Sequence, residues 1–323
     1  MCTAVTFLGK NSYFGRNLDF EHGFGEQVVI TPRNYPFSFC SGSDMPKHFA
    51  IIGMAAVDNE YPLYYDGTNE WGLSMAGLYF PGNAVYLPAS ENADNIAPFE
   101  FIPWVLGQCA NVQEAIKKLH NLNLVNIPYS DKYALSPLHW LIADRVQAVT
   151  VEPTEKGLQI FDNPFCVLTN NPPFEYHMHN ICNYLNLTRE QPDNRFSPGN
   201  DLTPYSRGMG GIGLPGDLSS ASRFVRAAFI KSNSVPGDQE SESISQFFHI
   251  LSSVEQQNGC VRVGKNFEKT IYSSCCNTDA GIYYYKTYEN SQITAINMRN
   301  ANIDGTSLVK FPLHLTQNIK YEN

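Results

Sequence analysis

The chain has 323 residues, 43% hydrophobic and 16% charged, enough apolar material for a sizeable core and too much for disorder. A formal net charge of -9 with no run of lysine or arginine argues against nucleic acid and anionic membrane surfaces as partners. No stretch approaches the ~20 apolar residues of a membrane span, and residues 1–8 lack a basic, then apolar, leader pattern; the expectation is a soluble, cytoplasmic protein.

Residues 2–8, Cys-Thr-Ala-Val-Thr-Phe-Leu, are β-branched and apolar and read as a strand. Cys2 follows the initiator methionine. Loss of Met1 would leave a thiol and an α-amine, of ordinary pKa about 7.7–8.0, on one residue, which is a nucleophile carrying its own base. A cysteine there is more often a small buried apolar residue, so the rest of the chain has to supply an activating setting. Lys10-Asn11-Ser12 reads as a turn and 13–20 as a returning strand, with Arg16, Leu18 and Phe20 on one face and Asn17 and Asp19 on the other. Such a hairpin brings the second strand back beside Cys2.

Strand patterns follow at 27–32, 49–56 and 72–78. Helices are expected at 98–108 and, opened by Asn111 with Glu114 as a capping box in outline, at 115–122, both on one sheet face. Strands return at 139–144, 148–152, 158–162 and 165–169. His177-Met178-His179 has the spacing of one strand face but no third ligand nearby, so neither a metal site nor a cofactor is expected. The polar, Pro- and Gly-rich stretch 188–216 is too long for a compact connection and reads as a functional or assembly loop. Helices are expected at 222–231 and 243–256, and strands at 269–275, 282–287 and 292–297. Cys275 and Cys276 would point to opposite faces of a strand and pack in the core; the eight cysteines, without a Cys-x-x-Cys pair, read as reduced thiols. The alternation of strand and helix blocks predicts an α+β layered fold, taken as a single domain over 2–323.

Cys2-Thr3-Ala4, Gly15-Arg16-Asn17-Leu18-Asp19, Met75-Ala76-Gly77-Leu78, Leu138-His139-Trp140, Leu168-Thr169-Asn170-Asn171-Pro172, Gly213-Leu214-Pro215-Gly216-Asp217, Ser222-Arg223-Phe224 and Gly281-Ile282-Tyr283-Tyr284-Tyr285 occur in that order. Together they resemble the choloylglycine hydrolase family of N-terminal-nucleophile hydrolases, which contains bile salt hydrolases and penicillin V acylases. The resemblance implies a four-layer αββα sandwich, a cysteine nucleophile exposed by methionine removal, and hydrolysis of an amide that is not a peptide bond. It implies Asn170 as side-chain oxyanion donor, the backbone N–H of Tyr79 as the second donor, and Arg223 as a second catalytic arginine, while Arg226 one turn later is expected at the surface. The chemistry of the hairpin stands beside it. Arg16 near the thiol favours the thiolate, and Asp19 is placed to hold the α-ammonium once the amine has taken the thiol proton. Leu18, Phe24, Tyr129 and Tyr133 match positions that resemble the family's steroid-facing residues, although core packing explains each equally well, and Tyr79 is expected on the pocket wall.

Bile salt hydrolases usually carry asparagine where this chain has Tyr79, and tyrosine there is similar to the penicillin V acylase branch. The Tyr205-Ser206-Arg207-Gly208-Met209-Gly210-Gly211 loop is instead similar to bile salt hydrolases of Gram-positive gut bacteria. Arg207 is suited to a planar carboxylate, which favours glycine over taurine conjugates. The expected substrate is therefore a conjugated bile acid, with penicillin V as the alternative. A non-catalytic bile-acid-binding protein is a third reading, which the joint presence of Cys2, Arg16, Asp19, Asn170 and Arg223 argues against. By the same resemblance, segment 188–211 packs on a neighbouring subunit of a homotetramer.

Overall fold

In the computed structural model, which describes residues 1–40 and 44–323, Cys2–Leu8 and Ser12–Phe20 form the expected antiparallel hairpin. Its register pairs Cys2 with Leu18 and Ala4 with Arg16. Gly15 lets the returning strand lie against Asn266–Asn277, since a Cβ there would stand 1.9 Å from the Ser274 carbonyl oxygen. The sheet built on this hairpin runs Val167–Leu168, Cys2–Leu8, Ser12–Phe20, Asn266–Asn277, Ile282–Thr287, Thr294–Asn297, with Val261–Val263 added to the long fourth strand.

A second antiparallel sheet runs Gly157–Asp162, Ala148–Thr154, Leu138–Ala143, Ser74–Tyr79, Tyr61–Asn69, Ile51–Asp58, Gln27–Thr31, Val309–Pro312. Two of these strands are absent from the sequence reading. Tyr61–Asn69 contains Pro62 and an Asp66-Gly67 pair, residues that ordinarily mark turns. It is a strand here because buried Asp66 is satisfied by the Tyr272 and Tyr283 hydroxyls, each 2.7 Å away. Val309–Pro312 returns from the chain end to pair with Gln27–Thr31, a pairing no local pattern announces.

Helices α1 (Phe101–Leu106) and α2 (Val112–Leu119) cover the outer face of the second sheet. Asn111 caps α2 by accepting from the Glu114 N–H at 3.0 Å, while Glu114 reaches back to the Ala110 N–H at 2.8 Å. α3 (Phe174–Asn180) carries the histidine pair on a helix, where residues two apart do not share a face, so His177 is buried and His179 is not. α4 (Ser220–Asn233) and α5 (Glu240–Ser252) cover the first sheet. Phe224, Phe247 and Leu251 are fully buried, and each contributes on the order of 2 kcal/mol. Along the second sheet Ile51, Met75 and Ile142 pack toward α1 and α2, and Ile52, Ala76 and Leu141 toward the other core. The order of layers is helices, sheet, sheet, helices, as the resemblance implied.

Candidate active site

Cys2 opens the first strand, and its register with Leu18 puts its side chain on the sheet face that also carries Arg16. All three line a cavity whose wall is almost entirely apolar and aromatic. Phe24, Tyr79, Tyr129, Tyr133 and Trp140 contribute to it, and Arg16 is the one charged residue lining it among the described residues. Arg16 is fully buried between the sheets and donates through Nη1 to the Tyr65 and Gly77 carbonyls at 3.0 and 2.5 Å, while its Nη2 has no protein partner. Burial disfavours its charge, but Cys2, Tyr272, Asp66 and Asp19 outweigh that and hold the guanidinium's pKa above its ordinary value.

The opposite face of the hairpin carries Thr3 and Asp19, and there α4 delivers Arg223. The Arg223 guanidinium donates to the Cys2 carbonyl at 2.5 Å, to Thr3 Oγ1 at 2.7 Å and to Asn170 Oδ1 at 2.8 Å. Burial pulls its pKa down and Asp19 opposes the shift. Asp19 Oδ1 accepts from Thr270 at 2.6 Å; Oδ2 has no hydrogen-bond partner and lies 4.0 Å from Arg223. Burial raises the Asp19 pKa against the lowering effect of Arg223.

Asn170, just beyond Val167–Leu168, joins the two sheets at the thiol. Its Oδ1 accepts from the Cys2 N–H at 2.8 Å and its Nδ2 donates to the Tyr79 carbonyl at 2.7 Å. An amide NH₂ has two donors, so one N–H of Asn170 is left for another acceptor. The Phe80 N–H bonds the Pro137 carbonyl at 2.8 Å, which makes Tyr79 and Leu138 the alternate, non-hydrogen-bonded pair. The Tyr79 N–H therefore points away from that ladder, to the side on which its carbonyl meets Asn170.

Cys2, Arg16, Asp19, Asn170 and Arg223 thus come together, with Tyr79 beside them and Leu18, Phe24, Tyr129 and Tyr133 on the cavity wall. With Met1 in place, the terminal ammonium is held at 2.8 Å by the Asp19 carbonyl and at 2.7 Å by Glu268, not by the Asp19 carboxylate. Two expectations change. Arg207 is exposed and lies outside the cavity of its own chain. Arg226 is buried, not superficial, and donates to the Ser253, Pro215 and Asp217 carbonyls at 2.7–3.0 Å, because the segment before α4 folds back over that face. Glu268 escaped the sequence reading, since no motif marks it and only the tertiary fold sets it against the amino terminus. Among the described residues no three His, Cys, Asp or Glu side chains gather as a metal site.

Comparison with known proteins agrees with this geometry. The family model described as linear amide C–N hydrolases, choloylglycine hydrolase family, matches residues 2–311. A bile salt hydrolase/transferase of Lactiplantibacillus plantarum is 53% identical over 314 residues, 97% of each chain. One of Clostridium perfringens is 37% identical over the whole of both. The solved structure of the C2A mutant conjugated bile acid hydrolase from Clostridium perfringens superposes with a TM-score of 0.92 over 100% of both chains at 37% identity. Penicillin V acylase from Agrobacterium tumefaciens shares the fold, with a TM-score of 0.78 and 18% identity over 98% of this chain and 94% of its own. With a cysteine opening the first sheet and the sandwich fold in place, the chain belongs to the choloylglycine hydrolase family of linear amide C–N hydrolases.

Proposed function

We propose that this chain hydrolyses the amide bond of glycine- or taurine-conjugated bile acids, with Cys2 as the nucleophile once Met1 has been removed. The observation that carries the reading is the placement of Cys2 against an apolar cavity, beside the buried Arg16 guanidinium and a hydrogen-bonded Asn170–Arg223 pair. A steroid acyl group is rigid and apolar and suits such a wall.

In this reading the freed α-amine takes the Cys2 thiol proton, and the thiolate attacks the amide carbonyl. The remaining Asn170 N–H and the Tyr79 N–H receive the oxyanion, a contribution of roughly 10²–10³ in rate per donor. The Arg16 cation stabilises the negative charge passing from sulfur to oxygen. The α-ammonium, held by Asn170 Oδ1, which accepts from the Cys2 nitrogen at 2.8 Å, returns its proton to the leaving nitrogen as the C–N bond breaks, and a thioester remains. The neutral amine then takes a proton from water. The resulting hydroxide attacks the thioester, the C–S bond breaks, and the thiolate regains the proton as free bile acid leaves.

The same reading takes 2–323 as one catalytic domain of a cytoplasmic enzyme and 188–216 as the segment that contacts other subunits of a homotetramer. Support comes from Phe196 and Tyr205, 94% and 86% exposed on that segment. No helix among the described residues is long and apolar enough to cross a membrane. Tyr79, on the cavity wall, favours penicillin V as a second substrate. Parallel assays of glycocholate and penicillin V with the parent and Cys2→Ala test the proposal. Glycocholate turnover that vanishes in the variant is expected; activity persisting in Cys2→Ala refutes the nucleophile, and faster penicillin V turnover reverses the substrate order.

A further inference from the structure

Three buried ionisable side chains stand behind the active site without touching the cavity. Glu152, His139 and His177 are each 0–1% exposed and come from the second sheet and from α3. Taking such groups out of water is costly unless their partners are satisfied, and here the partners converge on one segment. His139 Nε2 lies 2.9 Å from the Thr169 carbonyl, and His177 Nε2 lies 3.0 Å from the Asn170 carbonyl. The Asn170 N–H is held in turn by Ser220 Oγ at 2.8 Å. Both peptide groups of Asn170 are therefore pinned from three elements, the second sheet, α3 and α4.

Glu152 links the two histidines. One oxygen lies 3.0 Å from His139 Nδ1, and the carboxylate also accepts from the Phe174 N–H at 3.0 and 3.2 Å, which is the first residue of the helix that carries His177. Both nitrogens of His139 face acceptors, Nδ1 toward Glu152 and Nε2 toward the Thr169 carbonyl, which fixes the ring in its plane. His177 has no partner at Nδ1, and burial lowers its pKa, so the neutral ring carries its hydrogen on Nε2 toward Asn170. The rings are clamped as well. Phe80 stacks on His139 at 4.2 Å and Phe224 on His177 at 4.7 Å. Those phenylalanines directly follow Tyr79 and Arg223, so the pair of stacks also sets the second oxyanion donor and the arginine that grips Asn170.

We infer that Glu152, His139 and His177 are positioning residues of the amide hydrolysis, a buried relay that fixes where the Asn170 amide stands relative to Cys2 and Tyr79. The inference rests on the reading of Asn170 as an oxyanion donor. An amide displaced by about an ångström from the oxyanion loses much of its effect, so the loss falls on kcat, by roughly 10- to 100-fold, and not on binding of the acyl group.

The experiment compares His177→Phe, which keeps the ring stack but has no donor, with His177→Gln, whose amide can still donate to the Asn170 carbonyl. Both are assayed on glycocholate for kcat and KM, melted, and tested for the rate of Cys2 alkylation by iodoacetamide. The expected result is a kcat lowered 10- to 100-fold in His177→Phe with KM within about threefold, largely restored in His177→Gln, and an alkylation rate equal to the parent's in both, since alkylation forms no oxyanion. If His177→Phe does not fold, Glu152→Gln is read by the same criteria. Parent-like kcat in the donor-less variant, or equal losses in His177→Phe and His177→Gln, overturns the relay. Asn170→Ala run alongside separates the two failures: if it too retains parent-like kcat, the donor reading of Asn170 falls first.

Discussion

Asn170→Ala is the most informative single change, because that amide makes three hydrogen bonds, two of them buried, to groups 53 to 168 positions away. Alanine removes the acceptor for the Cys2 N–H and for Arg223 Nη2, both at 2.8 Å, and the donor to the Tyr79 carbonyl at 2.7 Å. A buried group left unpaired costs about 1–3 kcal/mol, but the adjoining cavity admits water to some of them, so the net loss of stability is about 2–3 kcal/mol, or roughly 3–4 °C in Tm for a chain of 323 residues. Turnover suffers more. Loss of one oxyanion donor lowers kcat by roughly 10²–10³, about 2.7–4 kcal/mol of barrier, with KM within about threefold, since the cavity wall is untouched. The assay is glycine release from glycocholate, paired with the rate of Cys2 alkylation. A variant within tenfold of the parent kcat refutes the argument. So does a kcat that falls in step with alkylation, which would place the Asn170 effect on the thiol and not on the oxyanion.

Phe24 is 37% exposed at the cavity wall and packs on Phe20 at 5.0 Å, so Phe24→Ala should raise KM for glycocholate roughly tenfold, from about 1–2 kcal/mol of lost apolar contact, with kcat little changed; an unaltered KM would remove Phe24 from the acyl site. Arg207→Ala should leave the ratio of glycocholate to taurocholate turnover within about twofold, because Arg207 lies outside the cavity of its own chain, and a tenfold change would show that another copy delivers it. Asp217 offers a pH test at the start of α4. Ser219 and then Ser222 hold its carboxyl down to about 2, below the ordinary value near 3.9, so its stabilisation is complete above about pH 4 and fades as pH falls through 2. The carboxylate is exposed, so screening keeps the effect below about 1 kcal/mol; the stability gap between parent and Asp217→Asn should close between pH 4 and 2, and a gap that persists at pH 2 contradicts the assignment.

The hairpin was legible because a strand, a turn and a returning strand depend on neighbours a few residues apart. Cys2–Leu8 has the bounds read from its β-branched residues, and the faces assigned to Arg16 and Asp19 follow from the two-residue period. The Asn111 cap was legible for the same reason. Tyr61–Asn69 was not, since Pro62 and Asp66-Gly67 are turn signals until two tyrosines from the other sheet satisfy the aspartate. Arg226 was misplaced because a helical period shows which residues share a face but not that α4 is covered on more than one side. The buried histidines escaped as well: nothing local shows that His177 is buried and His179 is not, and nothing local marks His139 as the partner of Glu152.

By itself the sequence determined the strand that begins at Cys2, the hairpin that brings Arg16 and Asp19 back to it, and, through its ordered motifs, the family. Tertiary structure alone decided the site. The Cys2 amide meets Asn170 across 168 positions and its carbonyl meets Arg223 across 221, distances over which no periodicity carries information. Only the packing of two sheets and the docking of α4 bring those groups to hydrogen-bond range. The same packing keeps Arg207 out of the cavity and turns Arg226 inward, because burial is a property of what lies on top of a residue, which its own neighbours in the chain do not specify.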